Sequence, residues 1–168
     1  MRGSAAFAAI FVALAAQTTL AGYAFRSSAP IDLVLIAVVY VAIKSGPVRG
    51  LMAGTVAGLI QDALAGGILG IGGLSKTVIG FLSGVLGTQF IVTAPLPRFL
   101  LVLVATALHA AIFMGLYSLL DLRQFPPLYP AILGQAFGNA LVGVFLFQMA
   151  EWVPGFVDRR RAGRFLRR

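Results

Sequence analysis

Few side chains in this sequence could carry chemistry. The chain contains five acidic residues, a single histidine, His109, and no cysteine. Without thiols, neither a disulfide framework nor a thiolate metal site can form. Asp121, Glu151 and Asp158 fall at the ends of apolar segments or in the C-terminal tail, where water reaches them. The sequence therefore predicts no metal site and no cofactor.

The strongest enzymatic candidate is a dyad of Ser83 and His109. A serine activated by a histidine is the catalytic pair of rhomboid-like intramembrane proteases, which place the serine in a Gly-x-Ser-Gly motif. This chain reads Gly80-Phe81-Leu82-Ser83-Gly84, so its first glycine comes one place too early. A serine between glycines is more typical of close helix packing, and a lone histidine can simply bond a neighbouring helix. We therefore predict that the protein is not an enzyme.

A glycine-rich stretch from Gly66 to Gly73 invites comparison with phosphate-binding loops. It lacks the Gly-Lys-Ser/Thr ending of a P-loop, and it follows a predicted helix rather than a strand. A hairpin turn between two helices is the better interpretation. Ser75 and Lys76 do not form a reactive pair either, because adjacent helical residues point in different directions.

Four polar residues lie inside otherwise apolar segments: Gln17, His109, Gln135 and Asn139. Gln135 and Asn139 are four residues apart, so they share one helix face and should point into a bundle. Such residues either form hydrogen bonds between helices or line a small-molecule pocket. Interhelical hydrogen bonding is the favoured interpretation, since each such bond contributes on the order of 0.6–2 kcal/mol.

Two stripes of small residues form the most regular pattern in the sequence. The members recur every four residues, as Gly50, Gly54, Gly58 and Asp62 in one stripe and as Lys76, Gly80, Gly84 and Thr88 in the other. Small residues at this spacing let helix backbones approach closely, which is how helices associate where lipid supplies no hydrophobic drive. We expect these stripes to form helix-packing or partner interfaces.

The composition is that of a membrane protein. Of the 168 residues, 60% are hydrophobic and only 11% are charged, and the mean hydropathy is +0.97. Soluble domains carry roughly 25% charged residues, and a bilayer takes about 20 apolar residues per helical span. We predict an all-α, polytopic bundle of six spans in residues 1–153. The predicted spans are 5–25, 30–43, 48–65, 74–92, 99–120 and 130–153, the last of them stopped by Pro154-Gly155.

Basic residues near the span ends predict the orientation. With an inside N-terminus, the inner side receives ten of the thirteen basic residues, namely Arg2, Lys44, Arg49, Arg98 and six tail arginines, and the outer side receives Arg26, Lys76 and Arg123. Both termini are therefore predicted to lie inside. The tail arginines are Arg159, Arg160, Arg161, Arg164, Arg167 and Arg168. We interpret residues 154–168 as a basic cytoplasmic tail that contacts anionic lipid, and expect no nucleic-acid partner.

The third and fourth predicted spans carry a family resemblance. The run Gly54-x3-Gly58-Leu59-x2-Asp62, followed by Gly66, Leu69-Gly70, Lys76 and Gly80-Phe81-Leu82-x-Gly84, resembles the core signature of the MreD family. Members of this family are small polytopic rod-shape-determining proteins of bacteria. Phe81 stands where tyrosine is most often expected.

This resemblance implies a non-enzymatic scaffold of the cell-elongation machinery in the bacterial cytoplasmic membrane. MreD-like proteins act with the bitopic protein MreC, and through it they connect MreB filaments to the peptidoglycan polymerase RodA and its class B penicillin-binding partner. An alternative is the substrate-binding subunit of an energy-coupling-factor vitamin transporter, which is also a small six-helix protein of similar composition. Gln17, Asp62, Gln135 and Asn139 could line the ligand pocket that such a subunit needs.

The hairpin of the third and fourth spans yields a prediction of register. If the turn is centred on Leu69, Asp62 should face Lys76, Gly58 should face Gly80 and Gly54 should face Gly84. A charged pair at this depth would offset the cost of burying either partner. The alternative is that Asp62 bonds to loop amides while Lys76 extends toward the outer headgroups.

Overall fold

A computed structural model describes residues 3–23, 31–90, 94–122 and 129–165, with side chains described for 6–19, 31–90, 94–122 and 130–152. Within these ranges the chain is all-helical, with no strand. The helices are α1 (Gly3–Tyr23), α2 (Leu33–Ser45), α3 (Pro47–Ala65), α4 (Ile71–Gln89), α5 (Pro95–Leu119) and α6 (Tyr129–Phe165).

Three of these helices are long and apolar enough to cross a bilayer, namely Ile71–Gln89, Pro95–Leu119 and the Pro130–Trp152 part of α6. Shorter apolar stretches occupy Ala6–Thr19 in α1 and Leu33–Ser45 in α2. α3 falls outside both groups because glycine, glutamine and aspartate dilute its apolar residues. The composition of the helices supports a helical membrane protein, and six crossings remain a prediction.

Helix α2 lies at the centre of the bundle. It contacts each of the five other helices, and its residues Val34, Leu35, Ile36, Val38, Val39, Val41 and Ala42 are all buried. One side of α2 packs with Ile10, Leu14, Ala53 and Ala57 of α1 and α3, and the other side packs with Ile79, Val102, Ala140 and Phe147 of α4, α5 and α6. A helix that is buried over most of its surface is expected to be almost entirely apolar, as α2 is up to Lys44 near its end.

The tightest contact in the bundle joins α3 to α4, and it runs along the two glycine stripes. A Cβ atom on Gly58 would lie 2.6 Å from Cα of Gly73, and one on Gly50 would lie 3.0 Å from the carbonyl carbon of Gly80. In proteins, Cβ atoms essentially never lie closer than 3.0 Å to such atoms. The backbones therefore touch where the side chains are absent, as small-residue helix pairs do in membranes.

The predicted register of this hairpin is wrong. Gly58 lies beside Gly73 rather than Gly80, and Gly54 lies beside the backbone of Lys76 rather than Gly84. The hairpin is not symmetric about Leu69, because the last two turns of α3 extend beyond the start of α4. The connection folds back along them through Gly66 (φ +65°) and Gly70 (φ +105°), conformations that glycine adopts without strain.

Several helix ends also differ from the predictions. α4 begins at Ile71, so only residues 66–70 of the glycine-rich stretch form a loop. α5 begins at Pro95, a residue suited to the first helical position, four residues before the predicted start of the fifth span at 99. α6 continues through Pro154 and Gly155 to Phe165, because an internal proline removes one backbone hydrogen bond without obliging the helix to end. Residues 123–128, between the fifth and sixth predicted spans, lie outside the described residues.

Candidate functional site: a buried polar cluster at the start of α2

The N-terminus of α2 lies inside the bundle and is capped by Asp32. The Asp32 carboxylate accepts a hydrogen bond from the amide of Leu35 at 2.9 Å, as N-cap residues do. α2 has only 13 residues, and its first turn is covered by the longer helices around it. Its free amide groups therefore need partners within the protein, because apolar surroundings offer none.

Two of the predicted intramembrane polar residues supply those partners. Gln17 of α1 accepts a hydrogen bond from the amide of Leu33 at 2.8 Å and donates one to the carbonyl of Ile31 at 3.0 Å. Asn139 of α6 accepts a hydrogen bond from the amide of Asp32 at 2.9 Å. Both side chains thus bond to the backbone where α2 begins.

Asn139 also continues the network to α5. Its amide nitrogen donates a hydrogen bond to the hydroxyl of Thr106 at 3.2 Å, and this hydroxyl donates to the carbonyl of Val102 at 2.8 Å. Asn139 is completely buried and Thr106 nearly so. Each polar side-chain atom of Asn139 and Thr106 therefore has a hydrogen-bond partner, as the low dielectric of a helix bundle requires.

The charge of Asp32 is balanced by Lys76 of α4. Nζ of Lys76 lies 2.9 Å from Oδ2 of Asp32, and the two side chains are only 4% and 9% exposed. The prediction that Lys76 pairs with Asp62 is therefore wrong. The cause is the shifted hairpin register, which places Lys76 beside Gly54 and turns its side chain toward α2 and α5.

His109 of α5 completes the cluster. Its Nε2 lies 3.3 Å from Nζ of Lys76 and 3.8 Å from Oδ2 of Asp32. An ammonium group can only donate, so Nε2 accepts and the hydrogen of a neutral His109 sits on Nδ1. Nδ1 is buried and has no hydrogen-bond partner among the described residues. The ring instead packs against Phe113, with the ring centroids 5.9 Å apart.

The cluster joins five helices, and the predicted pair of Ser83 and His109 is not among its contacts in the described residues. No hydrogen bond in the described part of the chain joins Ser83 to His109, whose Nε2 faces Lys76 and Asp32 instead. Ser83 lies almost two turns along α4 from Lys76. The described residues contain no group of three histidine, cysteine or acidic side chains that could hold a metal ion.

Asp62 lies at the turn of the α3–α4 hairpin and has a separate role. Its Oδ2 accepts hydrogen bonds from the amides of Gly70 at 3.0 Å and Gly73 at 3.1 Å. These amides belong to the first turn of α4, where the helix dipole favours a negative charge. Asp62 therefore caps α4 from the neighbouring helix. A Cβ atom on Gly72 would collide with this carboxylate, which explains glycine there.

A second ionic group lies at the opposite end of α2. Glu151 of α6 accepts two hydrogen bonds from the guanidinium of Arg98, at 2.8 and 2.9 Å, and one from Nζ of Lys44 at 2.5 Å. The Arg98 side chain is 6% exposed, whereas those of Glu151 and Lys44 are about one-third exposed. This group joins the end of α2 and the start of α5 to α6, although the sequence suggested only that water reaches Glu151.

A match to a known family identifies the family of this chain. Residues 4–152 match the model of the family described as rod shape-determining protein MreD. The chain belongs to the MreD family. Neither the search of curated proteins nor the search of solved structures finds a match. With its three long apolar helices, this MreD-family chain is a membrane protein that shapes rod cells.

The structure brings together some of the predicted site residues of this MreD-family protein. Gln17, Lys76, His109 and Asn139 meet at the start of α2. The glycine stripes meet each other along the α3–α4 contact, with Asp62 at its end. Gln135 is half-buried on α6, one helical turn before Asn139. The side chains of the tail arginines lie outside the described residues.

Sequence reasoning missed the central member of the cluster, Asp32. A signal was present, because an aspartate directly before an apolar helical run is an N-cap pattern. Because the second span was predicted to begin at Pro30, Asp32 fell inside that span and was not recognised as a cap. Thr106 carried no signal, since a single threonine in an apolar helix usually bonds to its own backbone.

Proposed function

We propose that this MreD-family protein is a non-enzymatic scaffold of the cell-elongation machinery in the bacterial cytoplasmic membrane. The observation that carries the proposal is the family match over residues 4–152. Its role is to hold an MreC-like protein beside RodA and a class B penicillin-binding protein, with MreB engaged indirectly. Cell shape then depends on where these partners are held rather than on chemistry by this chain.

The buried polar cluster supports a static role. Gln17 and Asn139 are used for the backbone at the start of α2, and Asp32 and Lys76 neutralise each other. These bonds give the bundle directional contacts in surroundings where apolar packing alone gives little specificity. A cluster that joins five helices suits a body that must present fixed surfaces to partners.

The same bonds disfavour the alternative of a vitamin-transport subunit. A ligand pocket needs a few polar groups that converge on the ligand. Of the residues predicted to line one, Gln17, Asn139 and Asp62 are each bonded to the protein's own backbone. A polar ligand would have to displace these bonds, which leaves buried groups without partners.

We further propose that all six helices cross the membrane and that both termini lie in the cytoplasm. α2 is only about 20 Å long at 1.5 Å per residue, short of the about 30 Å core. The capping bonds from Gln17, Asn139 and Asp32 allow it to begin below the surface. The six tail arginines favour an inside C-terminus and contact with anionic lipid.

Partner helices dock in this scheme against the outer faces of the α3–α4 hairpin. Its glycine stripes lock the two helices together, and Asp62 caps the end of the hairpin. The outward face of α3 carries exposed apolar residues such as Met52, Val56 and Ile60. A rigid hairpin presents these residues at fixed positions.

Depletion of the protein in its host tests the proposal. Rod cells should widen and become round, while uptake of vitamins continues unchanged. A wild-type copy should restore rods, and affinity purification in mild detergent should recover an MreC-like protein. Cells that keep their shape but require a vitamin would instead establish the transport role.

A further inference from the structure

A groove of about 570 Å³ runs along the seam between α4 and α5. Its walls include Ile79, Leu86 and Phe90 of α4 and Pro97, Val104 and Leu108 of α5. The lining is almost entirely apolar, and among the described residues that form it only Ser83 has a polar side chain. Val104 and Phe90 are more than half exposed, so the groove opens to the outside of the bundle.

The groove exists because α4 and α5 are each packed tightly against other helices. α4 is held to α3 by the glycine stripes, and α5 packs along α6. α2 covers the inner side of the seam through Ile36, Val39 and their neighbours. The described residues leave the outer side of the same seam unfilled.

The polar cluster closes one end of the groove. The contact between Lys76 and His109 bridges α4 and α5 immediately beyond Ile79 and Leu108. From there the groove runs to Phe90 and Pro97, beside the α4–α5 connection. Leu108 is eleven positions after Pro97 along α5, a rise of about 16 Å. One leaflet of the hydrocarbon core is about 15 Å thick, half of the whole.

From this geometry we infer that the groove binds one acyl chain of a phospholipid in the leaflet on the side of the α4–α5 connection. The chain enters at Phe90 and Pro97 and ends at the contact between Lys76 and His109. This inference rests on the multi-pass placement in the proposed function. An acyl chain here fills the seam and keeps water from the buried ion pair.

A second transmembrane helix is a poorer match to the groove. A helix of the same length and about 10 Å diameter occupies about 1300 Å³, more than twice the volume of the groove. Helices in membranes also associate through small residues. In the groove these are Ser83 and Ala105, which are buried at its floor beneath larger side chains.

Positive charge lies at about the depth of the open end of the groove, where a phosphate headgroup would sit. Arg98 follows Pro97 directly, and with Lys44 and Glu151 it forms a group of two cations and one anion. This group carries a net charge of +1. A net positive charge at the membrane surface attracts phosphate-bearing headgroups.

The first test uses the unmodified protein purified in mild detergent with phosphatidylglycerol that carries a photoreactive diazirine on one acyl chain. Irradiation should attach lipid to residues lining the groove, such as Leu101 and Leu86. Attachment to Met52 and Val56 on the open face of α3 should be much weaker. Equal labelling of both faces would overturn the inference.

The second test counts retained lipids by native mass spectrometry after exhaustive washing. The wild type should keep one phospholipid per chain, and Val104→Trp should lose it by filling the groove. Val56→Trp is the matched control, because Val56 is similarly exposed but lies on α3. If Val104→Trp keeps its lipid as Val56→Trp does, or if detergent alone fills the groove, the site is refuted.

Crosslinking in native membranes tests whether the groove is filled by lipid or by a helix of another polypeptide. A photoreactive residue in place of Leu101 should crosslink to lipid, and a crosslink to another polypeptide would show that a partner helix fills the groove and refute the lipid site. These readouts do not depend on cell shape. Failure of the lipid site therefore leaves the scaffold role standing, and normal rods after depletion would leave the lipid site standing.

Discussion

Nζ of Lys76 lies 2.9 Å from Oδ2 of Asp32, which joins the second turn of α4 to the N-terminus of α2. Both side chains are more than nine-tenths buried. Burying either charge alone is strongly unfavourable, whereas the pair with its added hydrogen bonds is tolerated. The position of α2 and the register of the α3–α4 hairpin therefore depend on each other.

Removal of one member of this pair should destabilise the protein more than removal of both. Lys76→Met leaves a buried carboxylate without its counter-ion, at a cost of roughly 3–5 kcal/mol. Asp32→Asn alone leaves the ammonium buried, and the double variant leaves no charge at all. The double variant should unfold in detergent at a higher temperature than Lys76→Met. Lys44→Met is the control, since its ion pair is partly exposed and contributes about 0–1 kcal/mol. Additive losses would contradict a direct interaction.

Asp62 should act as a cap that is independent of Lys76. Asp62→Ala removes the acceptor for the amides of Gly70 and Gly73 and should cost about 1–2 kcal/mol. Asp62→Asn keeps one oxygen acceptor and should cost less. Thermal unfolding of Asp62→Ala combined with Lys76→Met should show additive effects, because the two side chains have no common partner. A large coupling would mean that Asp62 and Lys76 interact after all.

Replacement by alanine should destabilise the protein at Gly54, in a glycine stripe, but not at Gly115, which lies outside the stripes. Gly54→Ala places a Cβ atom 2.9 Å from the amide nitrogen of Thr77 and should force α3 and α4 apart. Such overpacking costs about 1–3 kcal/mol. Gly115→Ala on α5 meets no atom within 4 Å, so the better helix propensity of alanine should leave it neutral or stabilised by up to about 1 kcal/mol. Equal melting temperatures for both variants would contradict the close α3–α4 contact.

Much of this fold could be predicted because apolar runs and their punctuation locate helices. The hairpin of α3 and α4 and the close packing of its glycines follow from spacing alone. Its register did not follow, because the glycines at 66 and 70 let the connection fold back beside α3. An offset of about two turns then changed the partner of every residue along the hairpin.

The polar cluster was likewise predictable only in part. Gln17, His109 and Asn139 stood out as polar residues in apolar helices, and each was expected to form interhelical bonds or line a pocket. Their actual partners depend on where α2 begins inside the bundle. Asp32 marks where α2 begins along the sequence. The depth at which it begins inside the bundle is set by the packing of all the helices, and no local sequence pattern gives that depth.

Arg98 and Glu151 should form the stronger part of the ionic group at the other end of α2. The Arg98 guanidinium makes two hydrogen bonds to the carboxylate and is 6% exposed, so Glu151→Gln should leave a buried cation poorly balanced. We expect a loss of about 1–3 kcal/mol, below the fully buried case because Glu151 is partly exposed. Arg98→Lys should also destabilise, since lysine cannot form the two-bond contact. Lys44→Met should change the melting temperature least, and a larger effect than Arg98→Lys would contradict this ranking.

The proposed six crossings can be tested with single cysteines, because the chain has none of its own. Gly67 and Leu120 are exposed at the α3–α4 connection and after α5, and Ala94 is exposed just before α5. With both termini inside, an impermeant thiol reagent should label Gly67→Cys and Leu120→Cys in intact cells. Ala94→Cys and Gly163→Cys should react only after the membrane is permeabilised. Labelling of Gly67→Cys and Ala94→Cys from the same side would mean that α4 does not cross the membrane. External labelling of Gly163→Cys would place the arginine tail outside, which would contradict the orientation predicted from the basic residues.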